Sequence, residues 1–160
     1  MKKTATILFA LPAFVLIAVS GFVNPQSNSR SNLFTGDTLN IGQYKGKIVV
    51  LNFWASWSKA SRGENKNLTH VYHTFRLNPK VVFVSVSLDT DSVAWKSAIE
   101  ADELKWKDHF CDFKKYNSPV AKRYEVNTLP RFIILDGNGK PVHVYSNANQ
   151  LEASVIAMLR

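Results

Sequence analysis

Residues 51–62 read LNFWASWSKASR: an apolar run of strand length reaches Trp57, and Ser58-Lys59-Ala60-Ser61 then opens a helical pattern. Two hydroxyls three residues apart at such a corner serve either as nucleophiles or as helix caps. A serine nucleophile needs a base within hydrogen-bond reach. His70 and His73 lie 12 and 15 residues beyond Ser58 on the same expected helix, which at ~1.5 Å per residue places them roughly 18–22 Å away. His109 and His143 reach the corner only through tertiary contact, and the Gly-x-Ser-x-Gly elbow of the hydrolases is absent. Capping asks for less. The Ser58 oxygen has only to accept one of the backbone N–H groups that a helix start leaves unpaired. Ser61 with Glu64 also has the spacing of a capping box. Lys59 reads as a solvated loop residue, although its charge at that rim would attract an acidic partner.

The other candidate for chemistry is Cys111, the single cysteine of the chain. It cannot close an intramolecular disulfide, so the fold must be stable through its core. Two readings stand. Cys111 is a reactive thiol assisted by His109, forming mixed disulfides or a sulfenic acid, or it is a small buried hydrophobe, the commoner fate of a free cysteine. On a strand, His109 and Cys111 share a face and Asp112 points away. The four histidines contain no His-x-x-x-His pair, and His70/His73 alone are an ordinary helical pair. No metal and no cofactor is expected.

These residues sit in a chain of 160 residues, long enough for one domain, with 46% hydrophobic content for its core. Lys2 and Lys3 precede an apolar stretch with no charge before Arg30, the pattern of an export leader. Ala18-Val19-Ser20 before Gly21 suits cleavage. The apolar run, about residues 6–23, is near the ~18-residue minimum for crossing a bilayer, so residues 1–23 are expected to be a signal peptide or an N-terminal anchor that attaches the protein to a membrane. Either places the domain in the periplasm or on the extracytoplasmic face of the membrane. Residues 24–32, rich in Pro, Ser and Asn, read as a polar linker, and residues 33–160 as the domain. Without Lys2 and Lys3 the formal charge falls from +8 to +6. No block of five like charges occurs, so a solvated mixed-charge surface is expected and nucleic-acid binding is not.

From Leu39 the pattern alternates. KIVVLNFWA and VVFVSVSLD read as strands; KASRGENKNLTHVYHTF places Leu68, Val71, Tyr72 and Phe75 at helical spacing. DSVAWKSAIEADELK reads as a helix capped by Asp91 or Ser92, WKDHFCD as a short edge strand, and SPVAKRYEV as a helix with Ser118 as cap and Pro119 at its first position. PRFIILD and KPVHVYS flank a Gly/Asn turn as a hairpin. A last helix puts Leu151, Val155, Ile156 and Leu159 on one face. The order β-α-β-α-β-α-β-β-α implies an α/β fold: parallel crossovers, a final antiparallel hairpin, and a central mixed sheet with helices on both faces. Functional groups in such folds collect where strands end and helices begin.

YKGKIVVLNFWASW followed by x-x-x-x-Arg resembles the redox-site region of thioredoxin-like proteins of the TlpA/ResA (redoxin) type, and SPVAKRYEVNTLPRFIILDGNGKPV resembles their cis-proline segment. The resemblance covers about residues 32–160 and implies a thioredoxin-like fold with thiol–disulfide exchange in the cell envelope. It places the family's two redox cysteines at Ser58 and Ser61, its tryptophan at Trp57 and its cis-proline at Pro130. With oxygen at both redox positions, the expectation is a redox-inactive site. Trp57, Lys59, Leu129 and Pro130 would then survive as a groove for a protein or peptide partner in the cell envelope. The alternative is a thiol–disulfide oxidoreductase that uses Cys111 or a partner's thiol.

Overall fold

The computed structural model describes residues 32–35 and 39–160. The expected leader or anchor at 1–23 and residues 24–31 of the linker lie outside the described residues. Among those described, no helix is long and apolar enough to cross a membrane.

Six strands form one mixed sheet in the order β1-β4-β3-β2-β5-β6. At its centre β2 (Ile48–Trp54) is buried at all seven positions. Its side chains alternate between two cores, with Ile48, Val50 and Trp54 on one face and Val49, Leu51 and Phe53 on the other. This is the period of two that a strand imposes, and burial on both faces is why its sequence is an unbroken apolar run. β3 (Val81–Ser87) pairs with β2 in parallel, and β4 (Asp108–Cys111) with β3 in parallel. On the other side β5 (Arg131–Leu135) runs antiparallel to β2, and β6 (Pro141–Tyr145) antiparallel to β5. Gly139, at φ 78°, closes the β5–β6 turn, and Asp136 Oδ1 accepts from the amides of Asn138 and Lys140. The left-handed backbone there suits a residue without a Cβ.

Helices cover both faces. α1 (Lys59–Phe75) buries Leu68, Val71 and Phe75, α2 (Ser92–Ala101) buries Trp95, Ala98 and Ile99, and α4 (Leu151–Leu159) buries Leu151 and Val155, all in one core. α3 (Pro119–Arg123) and a 3-10 turn at Ile41–Tyr44 cover the opposite face. Asp91 caps α2 through the amides of Val93 and Ala94, and Ser118 caps α3 through that of Ala121.

Three expectations change. β1 (Asn32–Thr35) begins inside the stretch read as linker and pairs in parallel with β4. β4 is therefore an interior strand, not an edge; four residues are too few to show a period. Ile156 is 39% exposed, because α4 turns only a narrow stripe to the sheet and Ile156 falls just beyond it.

Candidate functional site: the strand-to-helix corner

At the C-terminal end of β2 the chain turns through Ser56 and Trp57 before α1 starts. Asp89, just past β3 and 1% exposed, fixes this turn. Its carboxylate accepts from the Ser56 amide (3.0 and 3.2 Å), the Ser56 hydroxyl (2.6 Å) and the Ser87 hydroxyl. A buried carboxylate is tolerated when its lone pairs are filled in this way. The sequence reading missed Asp89, whose partner Ser56 is 33 residues away.

Ser58 is the N-cap of α1. Its Oγ accepts the Ser61 amide at 3.2 Å and the Ser61 hydroxyl at 2.9 Å, and Ser61 is 1% exposed. The Ser61–Glu64 capping box does not form: the helix starts at Lys59, so Ser61 is already its third residue. Glu64 Oε2 instead accepts from the Ala148 amide at 2.9 Å, tying α1 to the chain entering α4. Among the described residues no histidine bonds either serine. His70 and His73 are exposed on α1, and His143 lies on β6.

Beneath α1 runs a polar chain that the sequence reading also missed. Asp102, the residue after α2, receives Arg62 Nε and Asn65 Nδ2 (2.7 Å). Asn65 Oδ1 accepts from Asn52 Nδ2 (3.1 Å), and Ser85 Oγ accepts from Asn52 Nδ2 (3.4 Å) and Trp106 Nε1 (3.0 Å). Asn52 is the one polar residue of β2, and its interruption of the apolar run was its only sequence signal. Asp102 raises the pKa of the Arg62 guanidinium further, chiefly through their hydrogen bond.

The rim of the corner is aromatic and basic. Trp57 is 50% exposed; Tyr116 meets it edge-on at 6.5 Å, and Lys115 Nζ lies 5.7 Å from its ring centre. Lys59 is exposed beside it. The Leu129–Pro130 peptide is cis, and both residues are half-buried. They lead into β5, whose Arg131 pairs with Phe53 of β2, so Pro130 and Trp57 lie at the same end of the sheet.

Cys111 ends β4 away from solvent, at 0% exposed, with its Sγ donating to Asp89 O at 3.6 Å. Burial pushes the thiol up to about 11. His109 gives it no help. Its Nε2 donates to Trp106 O (3.0 Å), its ring stacks on Trp106, and burial lowers its pKa to about 4. Among the described residues no cluster of three metal-ligating side chains occurs.

A parallel-stranded core with an antiparallel hairpin, an exposed tryptophan at the strand-to-helix corner and a cis-proline at the same end of the sheet define a thioredoxin-like protein. Residues 46–141 match the family model described as Thioredoxin-like, and the chain belongs to that family. It is 26% identical over 107 residues to the thiol-disulfide oxidoreductase ResA of Bacillus thuringiensis subsp. konkukian, covering 67% of this chain and 59% of that protein. With ResA of Bacillus subtilis it shares 25% over 109 residues, covering 68% and 58%. The chain thus spans less than two thirds of the length of these relatives. Among solved structures it is similar to a thiol-disulfide oxidoreductase of Bacteroides fragilis (TM-score 0.65, 32% identity, 72% of this chain and 83% of that one). It is also similar to the thioredoxin domain of a thiol-disulfide oxidoreductase of Bacteroides vulgatus (TM-score 0.68, 27% identity, 75% and 84%). The family class is that of thiol–disulfide oxidoreductases.

Proposed function

We propose that this chain is a thioredoxin-like module of the cell envelope that does not exchange sulfur at the β2–α1 corner and binds an extended segment of a protein partner beside Trp57 and Pro130. In this reading Ser58 and Ser61 stand where the relatives hold their redox cysteines. Exchange requires a thiolate attacking a disulfide sulfur. A helix N-terminus lowers a cysteine pKa from ~8.5 towards ~3.5–7.5, but a serine hydroxyl starts far too high for the same field to ionise it. Two hydroxyls also cannot give up an electron pair by forming a bond between them, as a dithiol does when it closes to a disulfide.

The observation that carries the reading is that Ser58 caps α1, its Oγ accepting from both the amide and the hydroxyl of Ser61, while the sole thiol is buried against Asp89 O. Binding is supported by the exposed Trp57, flanked by Tyr116 and Lys115, at the same sheet end as the residue before Pro130. A backbone preceding proline favours an extended form suited to pairing with a peptide edge. Residues 1–23, read as leader or anchor, are the basis for the envelope location.

Insulin reduction by dithiothreitol tests the redox half, comparing the unaltered protein, Cys111→Ala, and Ser58→Cys/Ser61→Cys. The expected result is turnover only in the double variant. Turnover by the unaltered protein that disappears in Cys111→Ala would establish the alternative oxidoreductase. A carboxymethylated insulin B chain, extended and unable to exchange sulfur, tests the groove. Trp57→Ala should weaken its binding about tenfold, as loss of an exposed aromatic anchor does.

A further inference from the structure

β2, β3 and β6 all begin at the end of the sheet away from Trp57, and a cation precedes each: Lys47 before Ile48, Lys80 before Val81 and Lys140 before Pro141. Backbone bonds draw these loops together. The Ile48 amide donates to Lys80 O at 2.8 Å and the Gly46 amide to Gly137 O at 2.7 Å, so Lys47 stands between the start of β3 and the β5–β6 turn. Lys45 follows the 3-10 turn in the same loop, and Arg76, at the C-terminus of α1, lines one cavity with Lys47 and Val81.

Lys45, Arg76, Lys80 and Lys140 are exposed, Lys47 is half-buried, and none of the five forms an ion pair among the described residues. The carboxylates nearby serve the fold. Asp136 Oδ1 accepts from the amides of Asn138 and Lys140. Asp108, 8% exposed, starts β4 opposite Val84, three residues further along β3, and accepts from the Tyr44 hydroxyl. Between Arg76 and Lys80 stands Leu77, at 82% the most exposed large hydrophobic side chain among the described residues. Its loop is held by Asn78, whose carbonyl accepts from the Val81 amide (3.2 Å) and whose side chain accepts from the Lys80 amide (3.0 Å). An apolar tip flanked by cations matches a surface that is negative outside and apolar beneath.

The chain also arrives from this side. β1 runs parallel to β4 and β4 to β3, so Asn32 enters the sheet at the end where β2 and β3 begin. Residues 24–31 span at most about 28 Å when extended, and an anchor at 1–23 would therefore tether this end to a bilayer.

We propose that this end of the sheet docks on an anionic lipid bilayer, with Leu77 entering the headgroup boundary and Lys45, Lys47, Arg76, Lys80 and Lys140 meeting lipid phosphates. The docking takes only the envelope location from the proposed function and does not depend on peptide binding at Trp57. That corner lies at the opposite end of β2, whose seven residues at ~3.3 Å each separate the two by roughly 20 Å, so it faces away from the membrane.

The full chain with a nitrobenzoxadiazole label on Leu77→Cys tests this, in phosphatidylcholine vesicles that contain or lack phosphatidylglycerol. Cys111, at 0% exposed, stays out of the labelling. Blue-shifted emission is expected with phosphatidylglycerol and not without it, and salt at ~0.5 M, where the Debye length is about 4 Å, should largely reverse it. The same label on Lys59→Cys, at the other end, should keep its emission in water. Arg76→Gln/Lys80→Gln, at two exposed positions, should lower the docked-to-undocked ratio of the labelled chain about thirtyfold with an unchanged melting temperature. The proposal is overturned if the Leu77→Cys label stays in water, if it responds equally to both vesicles, if the Lys59→Cys label shifts instead, or if the double variant docks normally. A shift as large with a single-stranded oligonucleotide in place of vesicles would also overturn it, assigning the face to nucleic acid.

Discussion

The Ser58 oxygen accepts both the amide and the hydroxyl of Ser61, so it is occupied in starting α1. Ser58→Ala leaves both donors without that partner and should destabilise the fold by about 1 kcal/mol, the usual loss for an N-cap. Ser58→Asp, which keeps an acceptor, should restore most of it in urea unfolding; equal stability of wild type and Ser58→Ala would remove the capping role. His109 governs a pH dependence. Its ordinary pKa of 6.5 is lowered to about 4 in the folded chain by burial. Between those values the unfolded chain takes up a proton that the folded chain refuses, so its contribution to stability is complete above pH ~6.5 and is lost as pH falls towards ~4. The gap corresponds to about 3 kcal/mol. His109→Gln should be flatter by that amount between pH 7 and 4, and an identical slope in the two proteins would contradict the buried neutral imidazole. At this scale the sequence was partly legible. Ser58 as a cap is a local matter of spacing, whereas Asp89 and the Ser56 amide it anchors meet only through the sheet.

Between elements, the principal polar joint links β2, α1 and the end of α2 through Asn52, Asn65, Arg62 and Asp102. Asp102→Ala strips an acceptor from both Arg62 and Asn65. Because the Arg62 side chain is 32% exposed, solvent screening limits the pair, and a total loss of about 1–2 kcal/mol is expected. A double-mutant cycle with Arg62→Ala should return a coupling of about 0.5–1 kcal/mol. Additive effects would mean that the ion pair is decorative. Element types and order were readable, because β2 is apolar throughout and α1 repeats Leu68, Val71 and Phe75 at helical spacing. β1 was not: its four residues acquire their meaning from pairing with β4, a contact made more than seventy residues further on. Ser118 and Pro119 likewise mark where α3 starts without saying that it covers the face opposite α1, α2 and α4.

Across the whole molecule the sheet order sets a gradient of stability. β2 lies between β3 and β5 with every residue buried, while β6 is an outer edge with Val142 and Val144 42% and 48% exposed. Amides in β2 can exchange only when the sheet opens globally, whereas β6 can peel from β5 alone. Hydrogen exchange should therefore give β2 the full unfolding free energy and β6 a protection at least about a thousandfold lower. Substitutions should follow the same gradient. Val144→Thr should stay within about 0.5 kcal/mol of wild type, as exposed sites do, and Val50→Ala, at 0% exposure, should lose about 2 kcal/mol through transfer and cavity terms. Protection of β6 equal to that of β2 would show that its free edge is covered in solution, and a concentration dependence of that protection would identify the cover as a second copy of the chain.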